Sequence, residues 1–462
     1  MSSVPTGLHR SIFREYDIRG IVGETLFAED ARALGRAFGA TVGADGLVAV
    51  GYDGRLSSPL LAPALIEGLI EAGARVVDIG QGPTPMLYFA SQHLAADGAM
   101  MITGSHNPPT HNGLKMMLHN KPFFGPDIQT LRNRALAWQP GARPGSLTKQ
   151  DVSKAYLAKL LEEVPDGRPL NVVWDPGNGA TGDIVSRLTA VLPGRHRLIN
   201  ERIDGNFPAH HPDPTDPHTL EQLIAAVAED GADLGIAFDG DGDRIGVVDG
   251  KGRILWGDQI LMLLAEDVLQ ARPGAPIIAD VKASQALFDR IAQLGGEPVM
   301  WRTGHSLIKT RMAEIKAPLA GEMSGHIFFA DRYFGFDDAI YAAMRLIRLV
   351  AKWHEVSLAD RYDGLPRLIN TPELRFDCPD DQKFSVVALV RQRLKDGLGQ
   401  VNDLDGVRVT HPDGWWLLRA SNTQAVLVAR CEGQDVKALQ RMKAELAGHL
   451  RAAGITVPPD IL

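Results

Sequence analysis

The chain repeats one local pattern three times: a run of β-branched and other apolar residues that ends at an aspartate. The three aspartates are Asp53, Asp175 and Asp280. Helical patterns lie between the runs, for example at residues 59–72 and 258–269, so strands alternate with helices. This alternation predicts α/β units with largely parallel pairing, and its recurrence predicts a repeated domain.

Each of these runs is followed further along the chain by a second turn with conspicuous chemistry. The turns hold Ser105 in the first copy, the acidic run 239–243 in the second and residues 321–326 in the third. Ligands of α/β sheets gather beyond the carboxyl ends of the strands, so we expect the three turns to face one shared cleft. Because identity between the copies is weak, a coincidence among many strand–turn junctions stays the alternative.

Ser105 follows the apolar run 99–102 and lies in a turn that is rich in Gly, Asn and Pro. A strand that ends there would present an exposed hydroxyl, which is a reasonable place for a nucleophile. An ordinary polar turn is the competing interpretation. The Gly-x-Ser-x-Gly elbow of acyl-transfer hydrolases is absent, because Thr103 and Asn107 occupy its two glycine positions.

Three carboxylates separated by glycines, those of Asp239, Asp241 and Asp243, follow the apolar run 234–238. Three like charges this close repel one another unless a cation neutralises them, and such carboxylates can fold around one hard divalent ion. An EF-hand calcium loop would need a glutamate at its twelfth position, where this chain has Gly250. The run therefore fits Mg²⁺ better than an EF-hand calcium.

Two arginines are candidate phosphate ligands. Arg244 directly follows the acidic run, and its forked guanidinium suits phosphate oxygens, although it would serve equally in an ion pair. Arg419 stands beside Ser421, Asn422 and Thr423, which add further donors for an oxyanion. This second group lies beyond residue 365, where the strand-to-aspartate pattern stops, and there we predict a smaller α+β domain.

Composition narrows the class of protein. The 462 residues suggest about three domains at roughly 150 residues each. The formal net charge of −8 opposes non-specific nucleic-acid binding. The two cysteines lack metal or redox spacing, and neither a signal-peptide core nor a membrane-length apolar run occurs. We therefore expect a cytoplasmic protein with buried thiols that binds neither nucleic acid nor membrane.

Four motifs in a fixed order resemble the α-D-phosphohexomutase family, and within it the bacterial phosphomannomutase/phosphoglucomutase branch. In chain order they are the phosphoserine loop 103–109, the metal loop 239–244, the sugar loop 321–326 and the phosphate loop 419–423. The resemblance spans essentially the whole chain. Residues 16–20 and 204–214 also resemble this branch.

The resemblance implies three topologically similar α/β domains with mainly parallel mixed sheets and a smaller C-terminal α+β domain, arranged around a central cleft. The predicted boundaries are 1–150 for the domain with the phosphoserine loop, 151–253 for the metal loop, 254–365 for the sugar loop and 366–462 for the phosphate loop.

The resemblance also implies an activity, namely reversible phosphoryl transfer between the 1- and 6-positions of glucose and mannose phosphates through a phosphoserine and a 1,6-bisphosphosugar. Phosphorylated Ser105 is expected to bind Mg²⁺ together with Asp239, Asp241 and Asp243. Glucose 1,6-bisphosphate is the expected activator, hexose phosphates are the expected substrates, and the enzyme is expected to be a monomer.

The site residues that the resemblance implies fall into two sets. The catalytic candidates are Ser105, His106, Lys115, Arg19, Arg244 and His305. Among them Lys115, His106 and His305 are open alternatives for the general acid or base. The substrate-binding candidates are Tyr16, Lys282, Glu322, Ser324, His326, Arg419, Ser421, Asn422 and Thr423.

Substrate choice turns on the sugar loop. Glucose and mannose differ only at C2, so a loop that reads their shared hydroxyls through Glu322 would accept both. Met323 resembles the glucose/mannose branch, whereas the phosphoglucosamine branch usually carries glutamine there. The alternatives are a phosphoglucosamine mutase, a metal-dependent sugar phosphatase, and a non-enzymatic sugar-phosphate sensor, which would have no use for both Ser105 and three metal carboxylates.

Overall fold

The computed structural model describes residues 7–139, 143–394, 399–422 and 424–458. Within these residues the chain forms four β-sheets. Three sheets mix parallel and antiparallel pairs, and the sheet nearest the C-terminus is wholly antiparallel.

The first repeat begins after a short 3₁₀ turn, Arg10–Ile12. Its elements are β1 (Ile18–Ile21), α1 (Ala28–Val42), β2 (Leu47–Tyr52), α2 (Ser58–Glu71), β3 (Arg75–Gln81), α3 (Thr84–His93), β4 (Gly98–Ile102), β5 (His111–Leu118), β6 (Lys121–Pro122), α4 (Pro126–Leu136) and β7 (Ser146–Lys149). The strands lie in the order β1-β5-β4-β2-β3-β7, and β6 pairs with β5. The helix predicted over 59–72 is α2.

The second repeat is built on a five-stranded sheet. Its elements are α5 (Ser153–Leu161), β8 (Leu170–Asp175), α6 (Gly182–Thr189), β9 (Gly194–Leu198), α7 (Glu221–Asp230), β10 (Leu234–Phe238), β11 (Ile245–Asp249) and β12 (Ile254–Leu255). The strand order is β12-β11-β10-β8-β9. A 3₁₀ turn, Pro217–Leu220, leads into α7.

The third repeat has a four-stranded sheet with the order β14-β13-β15-β16. Its elements are α8 (Gly257–Ala271), β13 (Pro276–Asp280), α9 (Gln285–Gln293), β14 (Glu297–Trp301), α10 (His305–Ile315), β15 (Leu319–Gly321), β16 (Ile327–Phe329), α11 (Ala339–Lys352) and α12 (Leu358–Asp363). The helix predicted over 258–269 is α8, extended at both ends.

The C-terminal unit is the predicted smaller α+β element. It contains β17 (Ile369–Asn370), β18 (Leu374–Asp377), α13 (Lys383–Arg393), β19 (Gln400–Asn402), β20 (Val407–His411), β21 (Gly414–Ala420), β22 (Val426–Gly433) and α14 (Val436–Ala452). Its strand order is β17-β22-β21-β20-β19, and β18 pairs with β22.

The three repeats share one strand topology. In each, the strand that ends at the aspartate (β2, β8 or β13) is the first of three parallel strands. It pairs with the second (β3, β9 or β14) on one side and with the third (β4, β10 or β15) on the other. The third strand then reverses into an antiparallel neighbour. This common order confirms the repeated α/β unit. The reversal after the third strand is made by residues 103–110, 239–244 and 322–326. These are the turns that carry Ser105, the three aspartates and the sugar loop.

The hydrophobic core is continuous through the three repeats, and the C-terminal unit has a core of its own. The C-terminal unit joins the third repeat through a small apolar cluster that includes Val281 and Trp415. Arg408 lies 3.7 Å from the Trp415 ring centroid and donates hydrogen bonds to the carbonyls of Val281 and Ala283 at 2.7 and 2.9 Å. In the part of the chain that the structure describes, no helix has the length and apolar character needed to cross a membrane.

Candidate active site

A cleft with a volume of about 870 Å³ lies where the turns that follow the third strands of the repeats meet the C-terminal unit. Fourteen of the residues predicted for the site line it: Tyr16, Arg19, Ser105, His106, Lys115, Arg244, Lys282, His305, Glu322, Ser324, His326, Arg419, Ser421 and Asn422. The three aspartates of the acidic loop lie buried beside this cleft. Thr423 lies outside the described residues. Residues from distant parts of the sequence therefore converge on one space.

Ser105 is held in a tight turn at the end of β4. Its backbone has φ of +49°, in the left-handed region, and its backbone N–H donates to Thr103 Oγ1 at 2.9 Å. Ser105 Oγ donates to Asp239 Oδ2 at 2.9 Å and lies 3.3 Å from His106 Nδ1. The residue is only 2 % exposed, which contradicts the expected exposed serine. The hydroxyl is enclosed because the acidic loop of the second repeat covers it.

The acidic loop folds around its own first carboxylate. Asp239 Oδ1 accepts hydrogen bonds from the backbone N–H groups of Gly242, Asp243 and Arg244 at 3.0 to 3.2 Å. Oxygens of Asp239, Asp241 and Asp243 lie within 4.8 Å of one another, and all three residues are fully buried. Among the described residues, Asp241 Oδ1 and Asp243 Oδ1 have no hydrogen-bond partner. Converging carboxylate oxygens with unused lone pairs are the donor set of a hard divalent cation.

Lys115 on β5 provides a positive charge beside these carboxylates. Its ammonium donates to Asp241 Oδ2 at 2.7 Å and also pairs with Asp243 Oδ2. Burial lowers the pKa of Lys115, but the neighbouring aspartates outweigh it and hold that pKa well above its usual value. Burial, together with the charges of Asp241 and Asp243, raises the pKa of Asp239. One ammonium against three buried carboxylates leaves an excess of negative charge that a metal ion would neutralise.

The cleft wall next to Ser105 carries two arginines and two histidines. Arg19 donates through Nε to Asp17 at 2.8 and 2.9 Å, and Arg244 Nε donates to His326 Nε2 at 3.0 Å. Burial, reinforced by Arg244 and Arg19, lowers the pKa of His106 well below its usual value. Arg19 and Arg244 therefore place two cationic donors in the cleft that Ser105 lines.

His305 lines the cleft as the first residue of α10. Two residues not predicted from sequence support it. Lys309 Nζ donates to Asp337 Oδ1 at 2.9 Å and lies 3.3 Å from His305 Nδ1. Asp337 Oδ2 lies 3.0 Å from His326 Nδ1. Burial and the charge of Lys309 lower the pKa of His305. No local sequence pattern indicates Lys309 and Asp337, since one lies on α10 and the other in the segment before α11.

Glu322 of the sugar loop lines the cleft. Glu322 is buried, its backbone N–H donates to the His326 carbonyl at 2.9 Å, and its carboxylate accepts from the backbone N–H of Gly304. Lys282 Nζ donates to Glu373 Oε2 at 3.0 Å, which links the third repeat to the C-terminal unit. Burial raises the pKa of Asp280, the aspartate that ends β13, to about 6. Glu373 is a further cleft residue that sequence reasoning missed.

The predicted phosphate loop forms the opposite wall. Arg419 Nε donates to Asp405 Oδ2 at 3.0 Å, and the same oxygen accepts from the backbone N–H of Thr303 at 3.0 Å. Asn422 donates to the hydroxyl of Tyr16, which itself donates to the Thr303 carbonyl at 2.8 Å. At Tyr16, therefore, the first repeat, the third repeat and the C-terminal unit are in contact.

Comparison with known proteins adds independent observations. Four family models match in order: phosphoglucomutase/phosphomannomutase α/β/α domain I at residues 10–139, domain II at 154–252, domain III at 256–368 and the C-terminal domain at 373–449.

Relatives and solved structures match over nearly the whole length. A protein of Pseudomonas aeruginosa named phosphomannomutase/phosphoglucomutase is 45% identical over 459 residues, which is 99% of each chain. A Neisseria gonorrhoeae phosphoglucomutase is 43% identical over 442 residues, 94% of this chain and 95% of that one. The crystal structure of a phosphoglucomutase/phosphomannomutase family protein from Burkholderia thailandensis superposes with a TM-score of 0.91 at 43% identity, covering 97% of this chain and 99% of that one.

Proposed function

Since the chain belongs to the phosphoglucomutase/phosphomannomutase family, we propose that it interconverts the 1- and 6-phosphates of glucose and mannose. The observation that carries this proposal is the position of Ser105. Its hydroxyl lies 2.9 Å from the first carboxylate of the acidic loop, in the same cleft as the Arg419 loop. A nucleophile, a metal donor set and a phosphate grip therefore share one space.

In the proposed reaction Ser105 carries a phosphoryl group in the resting enzyme. The bond from phosphorus to Ser105 Oγ breaks as a bond to the free sugar hydroxyl oxygen forms, and the hydroxyl proton passes to a base at the site. The resulting 1,6-bisphosphosugar then reorients in the cleft, so that its other phosphate faces Ser105. That phosphate is transferred back to Ser105 Oγ. The net change is an isomerisation, and no phosphate is lost.

Positioning and charge stabilisation carry most of the work in phosphoryl transfer. Arg19 and Arg244 would donate to the oxygens of the group in flight. Lys115, His106 and His305 are the proposed acid–base candidates, and His106 Nδ1 is 3.3 Å from Ser105 Oγ.

The acidic loop is the proposed metal site. Asp239, Asp241 and Asp243 would hold Mg²⁺ together with an oxygen of phosphorylated Ser105, and the orphaned oxygens of Asp241 and Asp243 fit this role. When bound, the ion supplies positive charge that offsets the phosphoserine and the incoming substrate.

Substrate recognition is proposed to use both walls of the cleft. Arg419 with Ser421, Asn422 and Thr423 would hold the phosphate that does not react. The remaining proposed contacts are Glu322, Ser324, His326, Lys282 and Tyr16. Because the fixed phosphate sets the distance of the other end of the sugar from Ser105, either end can be presented to the same serine.

³¹P NMR of the purified protein tests the proposal directly. Each sample contains Mg²⁺, a trace of glucose 1,6-bisphosphate as activator, and one of glucose 1-phosphate, mannose 1-phosphate or glucosamine 1-phosphate. Conversion of the first two to 6-phosphates at comparable rates is the expected result. Conversion of glucosamine 1-phosphate alone would identify a phosphoglucosamine mutase, and release of free phosphate a phosphatase.

Ser105→Ala is the matched variant. We expect loss of mutase turnover with a folded protein, because the methyl group keeps the packing and removes only the hydroxyl. Near-normal turnover in this variant would overturn the role of Ser105.

The wider setting is also proposed. We propose that the enzyme acts as a monomer in the cytoplasm on hexose phosphates, without a nucleic-acid or membrane partner. The net charge of −8 opposes non-specific nucleic-acid binding, and the two buried free thiols, Cys378 and Cys431, fit a reducing compartment.

A further inference from the structure

Arg55 is a buried arginine that lies directly behind the Ser105 turn. It is 1 % exposed and follows Asp53 at the end of β2. Its guanidinium donates four hydrogen bonds to backbone carbonyls of one loop: Nη2 to those of Ser105 (2.7 Å) and Asn107 (2.6 Å), and Nη1 to those of Pro108 (2.6 Å) and His111 (2.9 Å). One side chain thus fixes the reactive turn over its whole length.

Asp53 completes this arrangement from the other end of the turn. Asp53 Oδ2 accepts from the backbone N–H of Gly104 at 3.0 Å and lies 3.3 Å from Arg55 Nε. Its other oxygen accepts from Ser58 Oγ at 2.7 Å. The aspartate that ends the first strand therefore orients both the turn and the arginine.

The turn is shaped around the guanidinium. A Cβ added at Gly104 would lie 2.3 Å from Arg55 Nε, so only glycine fits beside it. The next residue, Ser105, adopts φ of +49°, a conformation that non-glycine residues hold only when their surroundings impose it. The four carbonyl bonds impose it here.

The second repeat covers the remaining face of Arg55. The Phe207 ring centroid lies 5.2 Å from Arg55 Cζ. A Cβ added at Gly205 would lie 2.8 Å from Arg55 Cα, so the two segments are in backbone contact. This gives residues 204–214, which resembled the family without an assigned role, a position against the reactive turn.

We propose that Arg55 is a positioning residue for phosphoryl transfer: it holds the Ser105 turn so that Oγ stays against Asp239 and faces the cleft. A buried charge is costly unless it is well satisfied, and here the carboxylate of Asp53 and four carbonyls of the Ser105 turn satisfy it. A lysine at this position has no planar fork and cannot serve the same four acceptors. The inference rests on the proposed role of Ser105 as phosphoryl carrier.

The test compares Arg55→Lys with Arg345→Lys. Arg345 is also buried, at 2 % exposed, but its partners Asp331 (2.7 Å) and Asp267 (3.1 Å) lie outside the cleft. Dephosphorylated enzyme is mixed with glucose 1,6-bisphosphate and quenched at intervals, and phosphate on Ser105 is measured by mass spectrometry. In parallel, kcat and KM for glucose 1-phosphate are measured well below the melting temperatures.

For Arg55→Lys we expect both the rate of Ser105 phosphorylation and kcat to fall by about 100-fold. This is the loss typical of a reacting atom misplaced by about 1 Å. KM should stay near the wild-type value, because the opposite wall of the cleft is unchanged. Arg345→Lys should keep wild-type rates. Wild-type rates in Arg55→Lys, or equal losses in both variants, would overturn the inference.

The outcome also separates this inference from the function on which it rests. If wild-type enzyme acquires no phosphate on Ser105, the proposed function fails. If wild-type enzyme is labelled and Arg55→Lys is labelled as fast, only the role of Arg55 fails. If Arg55→Lys does not fold, Gly104→Ala serves as the second variant, because its added methyl group displaces the Arg55 guanidinium. Slower phosphorylation of Ser105 in Gly104→Ala supports the inference, and phosphorylation at the wild-type rate overturns it.

Discussion

Replacing Lys115 by methionine would show how the acidic loop is held before a metal ion enters. The Lys115 ammonium is buried, 2.7 Å from Asp241 and paired also with Asp243. Removing one partner of a buried ion pair costs about 3–5 kcal/mol, because the charges left behind stay buried without compensation. We therefore expect the variant to lose about 3–5 kcal/mol in EDTA, or roughly 6–20 °C of melting temperature at about 2–4 °C per kcal/mol.

Mg²⁺ should restore much of the stability that Lys115→Met loses, because a divalent cation would bind the same carboxylates. A ligand at a hundredfold its Kd adds about 2.7 kcal/mol to the stability of the native state. Methionine leaves the loop more negative, so the variant should gain more from Mg²⁺ than the wild type does. Thermal melts near neutral pH, in EDTA and in a MgCl₂ series, measure both quantities.

Lys383→Met is the matched control. Lys383 is buried too, but its acidic partner Asp380 is exposed and lies in the C-terminal unit. Its melting temperature should respond to Mg²⁺ as the wild type does. A wild-type melting temperature for Lys115→Met in EDTA, or equal stabilisation of both variants by Mg²⁺, would contradict this prediction.

Arg419→Lys should raise KM for glucose 1-phosphate by about tenfold to a hundredfold, because a point charge replaces a fork that holds the non-reacting phosphate; steady-state kinetics with an unchanged KM would count against that grip. Burial raises the pKa of Asp338 from 3.8 to about 6, so the native state binds a proton that the unfolded chain releases, and stability should fall by up to about 3 kcal/mol as pH rises from about 4 to about 6. In Asp338→Asn this pH-dependent part of the free energy of unfolding, measured by urea unfolding, should be absent. The same change of unfolding free energy with pH in variant and wild type would contradict the prediction. Burial raises the pKa of Cys431 to about 12, so it and the buried Cys378 should react with a thiol reagent only after denaturation, and rapid labelling of the native protein would disprove this.

The repeated α/β architecture could be predicted from local patterns in the sequence. A β-branched run that ends at an aspartate identifies the first strand of each repeat, because that strand is buried on both faces and the aspartate begins the next turn. The boundaries predicted for α2 and α8 differ from the observed ones by one or two residues. The domain boundaries at 150, 253 and 365 stay predictions.

Other features depend on contacts between distant segments, and no local pattern reports those. Ser105 is buried because residues of another repeat lie over it, so its turn sequence alone could not indicate its burial. Asp337 and Asp405 are ordinary acidic residues in sequence, and each gains a role from a partner on another element. Arg55 stands two residues after Asp53 in the sequence, but no local pattern indicates its four carbonyl acceptors, which lie 50 or more residues further along the chain.

The connection that carries each reactive turn joins two antiparallel neighbours, whose ends lie one strand spacing apart, about 5 Å. The loop can therefore change in length and composition while the hydrogen bonds of the sheet stay as they are. A gene that triplicated such a module could leave the scaffold untouched and let a nucleophile, a metal cradle and a sugar reader evolve separately in the three copies. The three copies within this chain should then differ most in residues 103–110, 239–244 and 322–326, and the last of these, the sugar loop, is the segment to exchange when engineering a new substrate range.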